Sequence, residues 1–215
     1  MDATDLNELH NKEYKKIAAK FASNAKKDPH VVKYLEEMAN AAPIGSLLLD
    51  VGCGGGQYTD FLNGFRKTIG VDLSPDFIEI ARKQYPELEF KEMDMRKLDF
   101  PEKSVAGIAA VASLLHIPKK EAPEVLAEFK RVLTTDGKLV LLMKIPDSKY
   151  SGDGIESRER SGETISRYFA RYTPEELRLL LQEQGFTILK DQRIFFGDSS
   201  SPEDWELLMA EVKNG

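Results

Sequence analysis

Ser46-Leu47-Leu48-Leu49-Asp50-Val51-Gly52-Cys53-Gly54-Gly55-Gly56 decides the fold of this 215-residue chain. A short apolar run ends in an acid, four glycines fall within the next six positions, and Gln57-Tyr58-Thr59-Asp60-Phe61-Leu62 restores helical spacing at once. That order predicts a strand, a tight loop and a helix. Glycine lets the backbone turn sharply and lets a ligand approach main-chain N–H groups that no side chain covers.

The dinucleotide fingerprint Gly-x-Gly-x-x-Gly fits in neither register. Counted from Gly52 its last position is Gln57, and counted from Gly54 it is Thr59. Asp50 also stands where a carboxylate would repel a pyrophosphate and attract an ammonium group. Asp50-Val51-Gly52-Cys53-Gly54-Gly55-Gly56 closely resembles motif I of the class I S-adenosylmethionine-dependent methyltransferases. The resemblance implies that Asp50 reaches the methionine end of that cofactor and that the backbone of Gly52, Cys53, Gly54 and Gly56 lies against it. A glycine-rich turn without a ligand is the bland alternative.

Downstream, Thr68-Ile69-Gly70-Val71-Asp72-Leu73 reads as a second strand, and Ser74-Pro75 as the cap of a helix facing inward with Phe77, Ile78, Ala81 and Tyr85. Asp72 ends that strand, where nucleoside-binding α/β folds hold an acid against the ribose hydroxyls. Its alternative is a second helix cap. Leu88 to Asp94 alternates like a third strand. An acid after the third strand in the resembling family commonly accepts the adenine amino group, which implies that role for Asp94 and a backbone contact for Met95; Asp94 as a cap or plain surface acid stays open. Val105 to Ala112 is a continuous run of small apolar residues, as a fully buried parallel strand should be. Leu73 and Val111 complete the cofactor set that the resemblance implies.

Ser113-Leu114-Leu115-His116-Ile117-Pro118 crosses the carboxyl edge of the expected sheet, ahead of a helix and, after Thr135-Asp136-Gly137, a fifth strand over 138–144. His116 is the one histidine placed for chemistry, as a base or an orienting group for a methyl acceptor, with a structural role at the pocket edge as the alternative. His10 and His30 read as surface residues of helices, and no metal site is expected. Upstream, Tyr14, Ile17, Ala18 and Phe21 make an amphipathic stripe. This helix resembles the N-terminal lid of many small methyltransferases, which implies Tyr14 at both cofactor and acceptor. Asp28-Pro29 opens a second helix with Val31, Leu35, Met38 and Ala42 on one face.

From Pro146 to Tyr172 the alternation breaks. The stretch carries Gly152, Gly154 and Gly162, four arginines and four aromatic residues, and reads as a long functional loop. In the resembling family such an insert forms much of the acceptor pocket, which implies substrate contacts from Arg167, Tyr168 and Arg171 and suits an anionic acceptor. A solvated charged face or a phosphate-binding patch are the alternatives. Thr173-Pro174-Glu175-Glu176 is a capping box, Phe186 to Phe196 a sixth strand, and Trp205 to Val212 a seventh or the start of a helix.

The whole, residues 1–215, is expected to be one α/β domain. It is a three-layer αβα sandwich around a doubly wound, mostly parallel seven-stranded sheet with an antiparallel last strand. An N-terminal helical cap over 1–43 and an insert over 146–172 are added to it. A net charge of −6 argues against binding nucleic acid through bulk positive charge. With a charged first thirty residues, one cysteine and no apolar run of ~18 residues, a soluble cytoplasmic protein without disulfides is expected, without membrane contact. The resemblance implies S-adenosylmethionine as cofactor, no metal, and methyl transfer to a small-molecule acceptor. A tRNA wobble-uridine carboxymethyl methyltransferase is the second enzyme reading, a non-catalytic cofactor-binding regulator the third, and the glycine register speaks against an NAD-dependent dehydrogenase.

Overall fold

A computed structural model describes residues 3–24, 27–146, 152–160, 162–196 and 203–213. The glycine loop joins β1 (Leu47–Val51) to α3 (Gln57–Asn63). β2 (Thr68–Asp72), α4 (Pro75–Gln84) and β3 (Glu89–Glu92) continue to one side, β4 (Val105–Val111), α5 (Ala122–Val132) and β5 (Leu133–Lys144) to the other. α6 (Pro174–Glu183), β8 (Phe186–Phe196) and β9 (Glu203–Val212) close the sheet in the order β3-β2-β1-β4-β5-β9-β8. β9 runs antiparallel to both its neighbours and every other pairing between adjacent strands is parallel. The last segment is a strand and not a helix, because its apolar residues from Trp205 to Ala210 pair along β5.

Every residue of β4 from Val105 to Ala110 is buried. Successive strand residues point to opposite faces, so both faces of the sheet are covered. α2 (Pro29–Ala41) packs on β4, β5 and β9 as part of one layer. α1 (Ala3–Asn24), by contrast, contacts α4 and the later strand β7 (Glu163–Phe169), so only this helix of the two behaves as a cap. Fully buried aliphatic side chains such as Leu49 and Ile108 each contribute roughly 1.5–3 kcal/mol of transfer free energy.

Helix starts follow the sequence signals. The Asp28 carboxylate accepts from the His30 and Val31 amides, Ser74 Oγ from Phe77, and Thr173 and Glu176 bond reciprocally. β5 begins at Leu133, earlier than the expected 138, because the Thr135-Asp136-Gly137 turn lies within the strand as an irregularity against β4, with Asp136 left-handed at φ 62°.

The expected long loop over 146–172 is instead largely an antiparallel hairpin, β6 (Gly154–Arg160) paired with β7 (Glu163–Phe169), while 147–151 and 161 lie outside the described residues. The expected polar connection over 197–202 lies outside them too. No helix among the described residues is long and apolar enough to cross a membrane.

Candidate functional site

The strand order reverses between β1 and β4, and open α/β sheets bind ligands at the carboxyl ends beside such a switch. A cavity of about 510 Å³ opens there. α1 supplies one wall through Asn7, His10 and Tyr14, the hairpin supplies Arg167 and Phe169, and Trp205 of β9 faces them.

Gly52, Cys53 and Gly54 line the cavity. Gly54, at φ 52°, has no neighbour within 4 Å of where a Cβ would stand, so its bare backbone faces open space. Asp72 pins this loop: one carboxylate oxygen accepts the Gly54 N–H at 2.9 Å, the other the Ser74 N–H at 2.9 Å. Burial raises its pKa, against the pull of those amides. Leu73, Met95 and Val111 line the same end. Asp94 does so with both oxygens engaged, by Arg96 and by Asn7 of α1.

Two residues of the expected cofactor set stand elsewhere. Asp50 lies behind the loop, 2% exposed, and accepts from the Thr59 hydroxyl at 2.7 Å; it is absent from the cavity wall because the strand turns its side chain under α3. Gly56, at φ 87°, turns toward Phe90, whose ring a Cβ would meet at 2.8 Å, so this glycine serves packing.

Asp50 carries a pH signature. Burial, and secondarily the Asp72 charge, lifts its pKa from 3.8 to about 7. The folded state therefore holds the proton more tightly, and the group's stabilisation is complete below 3.8 and lost as pH rises through 7. Asp50→Asn removes the dependence. Thermal unfolding should show it gaining on the wild type by on the order of 2 kcal/mol between acidic and mildly alkaline buffer. A gap that stays constant with pH contradicts this account.

At the other end a hydrogen-bonded chain joins three of the expected residues. Arg167 Nη1 donates to the Tyr14 oxygen at 2.9 Å, Tyr14 lies 2.9 Å from His116 Nε2, and His116 Nδ1 lies 2.8 Å from the Tyr168 carbonyl. A carbonyl only accepts, so Nδ1 carries the proton and Nε2 accepts from the tyrosine O–H. Burial, then the fields of His10 and Arg167, holds the His116 pKa well below 6.5, so the ring is neutral.

Tyr168 and Arg171, expected at the substrate, are turned away from it. The Tyr168 hydroxyl, raised to about 12 by burial and by Asp153, is on the far side of β7 from its neighbour Arg167, as strand alternation requires. Arg171 is 2% exposed and locked to Glu156 by Nε and Nη2, at 2.9 and 2.6 Å, with Nη1 on the Ile145 carbonyl.

His10 and Lys144 were not apparent as site residues in the sequence. His10 is a buried cavity residue and not a surface one: its Nε2 accepts the Tyr168 N–H at 3.2 Å, its ring is 4.9 Å from that of His116, and burial with nearby Arg167 lowers its pKa to about 4. Lys144, 3% exposed, ends β5 with its ammonium over the Phe169 and Trp205 rings. His10 falls on the Tyr14 face of α1, one turn earlier, and that spacing was the available signal. No cluster that could hold a metal occurs among the described residues.

Residues 48–137 match the family model described as a methyltransferase domain. Trans-aconitate 2-methyltransferase of Enterobacter sp. (strain 638) is 38% identical over 115 residues, 52% of this chain and 44% of that protein. The mouse tRNA (carboxymethyluridine(34)-5-O)-methyltransferase ALKBH8 is 28% identical over 171 residues, 77% of this chain and 24% of that one. Among solved structures, Burkholderia thailandensis 1,6-didemethyltoxoflavin-N1-methyltransferase, with bound 1,6-didemethyltoxoflavin and S-adenosylhomocysteine, superposes with a TM-score of 0.76 at 16% identity, over 100% of this chain and 92% of that chain. The methyltransferase-domain match is thus confined to residues 48–137, and the chain shares its fold with solved S-adenosylmethionine-dependent methyltransferases. It spans about half or less of the length of the first curated relatives it matches.

Proposed function

We propose that this protein binds S-adenosylmethionine across the carboxyl ends of β1, β2 and β4 and transfers its methyl group to a small-molecule acceptor held between α1 and the β6–β7 hairpin. The observation that carries the reading is the glycine loop on the cavity wall, its backbone bare at Gly54 and pinned there by Asp72. The residues present suit the cofactor: main-chain groups for its amino-acid end, the Asp72 carboxylate with lone pairs left for ribose hydroxyls, and Asp94 with Met95 for adenine. The bound sulfonium supplies an electrophilic methyl carbon, so the protein's part is to align the acceptor and exclude water.

Tyr14 closes the cavity from above, and His116 acts as its positioning residue, since the histidine lone pair is taken by the tyrosine hydroxyl. The similarity to a tRNA methyltransferase over 77% of the chain supports a second reading with tRNA as acceptor. The net charge of −6 favours the small molecule.

Calorimetric titration with S-adenosylmethionine, S-adenosylhomocysteine and NAD tests the cofactor. Binding of the two adenosyl compounds without NAD is expected, and binding of NAD alone overturns the reading. Asp72→Ala should weaken S-adenosylmethionine by about 2 kcal/mol, roughly 30-fold in Kd, because it loses the ribose contact and frees the loop. Unchanged affinity removes Asp72 from the site.

A further inference from the structure

The two ends of the cavity differ in charge. Asp72 ends β2 and Lys144 ends β5, three strands apart and hence about 14 Å across the sheet edge. Around Asp72 the wall is acidic, with Asp94 beside it paired to Arg96. Around Lys144 it is cationic, because Arg167, 6% exposed, reaches in from the hairpin and stacks on the same Phe169 ring that Lys144 covers, at 5.1 and 4.7 Å from the ring centre.

The surroundings of Arg167 are unusual for a buried guanidinium. Among the described residues its contacts are the Tyr14 hydroxyl and the faces of Tyr14 and Phe169, and no carboxylate comes within 4.0 Å of it. Buried charges in proteins are normally paired, since a desolvated cation costs far more alone than beside an anion. The histidines contribute no anion, being neutral rings with their nitrogens on Tyr14 and on the Tyr168 backbone. A second observation is independent of charge. The His116 lone pair that faces the cavity side is filled by Tyr14, so this end offers no free base to take a proton from an acceptor.

From these two observations we infer that the acceptor presents a carboxylate to Arg167 and Lys144 and is methylated on a carboxylate oxygen. A carboxylate satisfies both: it is the missing counter-charge, and it is already a nucleophile at neutral pH. An oxygen lone pair forms the new bond to the methyl carbon, the carbon–sulfur bond breaks with its electron pair going to sulfur, and the products are a neutral methyl ester and a neutral thioether. No proton is released. The inference rests on the proposed methyl transfer, whose cofactor half is tested separately.

The carboxylate could belong to a free organic acid or to an acid carried on a nucleoside of tRNA, and the assay has an arm for each. Protein incubated with radiolabelled S-adenosylmethionine is offered succinate, fumarate and tricarballylate, their amides, and unfractionated tRNA. Label should enter a carboxylate substrate and be released as methanol by mild base, the mark of an ester. Appearance in a free acid or in tRNA tells the two sources apart. In parallel, the S-adenosylhomocysteine-loaded protein is titrated with the same acids and amides, and only acids should bind.

Arg167→Met should lower kcat/KM for that acceptor roughly 30-fold or more, with Arg167→Lys recovering part of it, while the Kd of S-adenosylmethionine stays within about twofold. Lys144→Met carries the same test should Arg167→Met lose cofactor binding through misfolding. Base-stable label, equal binding of acids and amides, or unimpaired turnover in the variants overturns the inference. So does failure of every acid and of tRNA to bind or accept label while S-adenosylmethionine binds. Absence of S-adenosylmethionine binding is a different result, which sinks the methyl-transfer reading itself.

Discussion

Arg171→Met lowers the unfolding free energy by about 4 kcal/mol, read as a fall in the urea midpoint at unchanged m-value. The arginine and Glu156 side chains are 1% and 4% exposed, so solvent screens neither. Methionine fills similar volume but leaves the Glu156 carboxylate with Arg158 alone and the Ile145 carbonyl without its Nη1 donor. Removing one member of a buried pair costs about 3–5 kcal/mol, far more than the net worth of the intact pair, because the remaining charge stays desolvated. Glu156 lies on β6 and Arg171 just after β7, so the pair clamps the hairpin to the end of β5, and acceptor turnover should fall with stability. A loss below about 1 kcal/mol would mean that water reaches the pair.

Gly52→Ala should cost about 3 kcal/mol, by a different mechanism. Its φ of 77° charges an L-residue about 1 kcal/mol. The new Cβ would also fall 2.2 Å from Ser113 Cβ and 3.5 Å from Ser113 Cα, and overpacking of this kind adds about 2 kcal/mol. Neither partner can swing aside. Ser113 Oγ donates to the Val51 carbonyl at 2.7 Å, and Ala112 before it is already left-handed at φ 55°. Ser113→Gly in the same chain should return about half of the loss. Gly54→Ala separates the two functions of the loop: with nothing within 4 Å of its Cβ it should lose only about 1 kcal/mol of stability, yet its methyl group intrudes on the cavity and should weaken the cofactor. Guanidinium unfolding and calorimetry of the three variants check this. Equal stability of Gly52→Ala and Gly54→Ala contradicts the clash.

The end of the cavity proposed for the cofactor was legible in the sequence because its lining residues are written almost continuously. Gly52–Gly54, Asp72–Leu73, Asp94–Met95 and Val111 all lie in the stretch 48–137 that matches the family model, each at or just after the end of a strand, and β1, β2 and β4 are plainly apolar while β3 shows only alternation. The end proposed for the acceptor is assembled from α1, β5, β7 and β9, and its residues become cavity residues only through contacts far along the chain. Lys144 reads as the polar end of a strand until its register partner Trp205 and the Phe169 ring enclose it. His10 reads as a surface histidine until the β7 backbone reaches it. Glycines and alternating charges hid the hairpin, because both faces of β6 carry polar side chains and its pairing with β7 is what gives it shape. Asp50 shows the opposite limit: its place in the pattern was plain, but the direction of its side chain depended on the Thr59 hydroxyl beneath α3.

The contact of α1 with β7 also sets an order of events during synthesis. Glu13 of this helix accepts the backbone N–H of Ser166, 153 positions later. At about 5–20 residues per second, a ribosome needs roughly 8–30 s to deliver that partner after the helix has emerged. Docking on α4, which packs the Tyr14 ring on Phe77, can begin much sooner, but the Glu13 and His10 contacts wait until the hairpin arrives. Nascent chains paused before residue 166 should therefore be the ones that chaperones hold, and closure of the cavity should be among the last steps of folding.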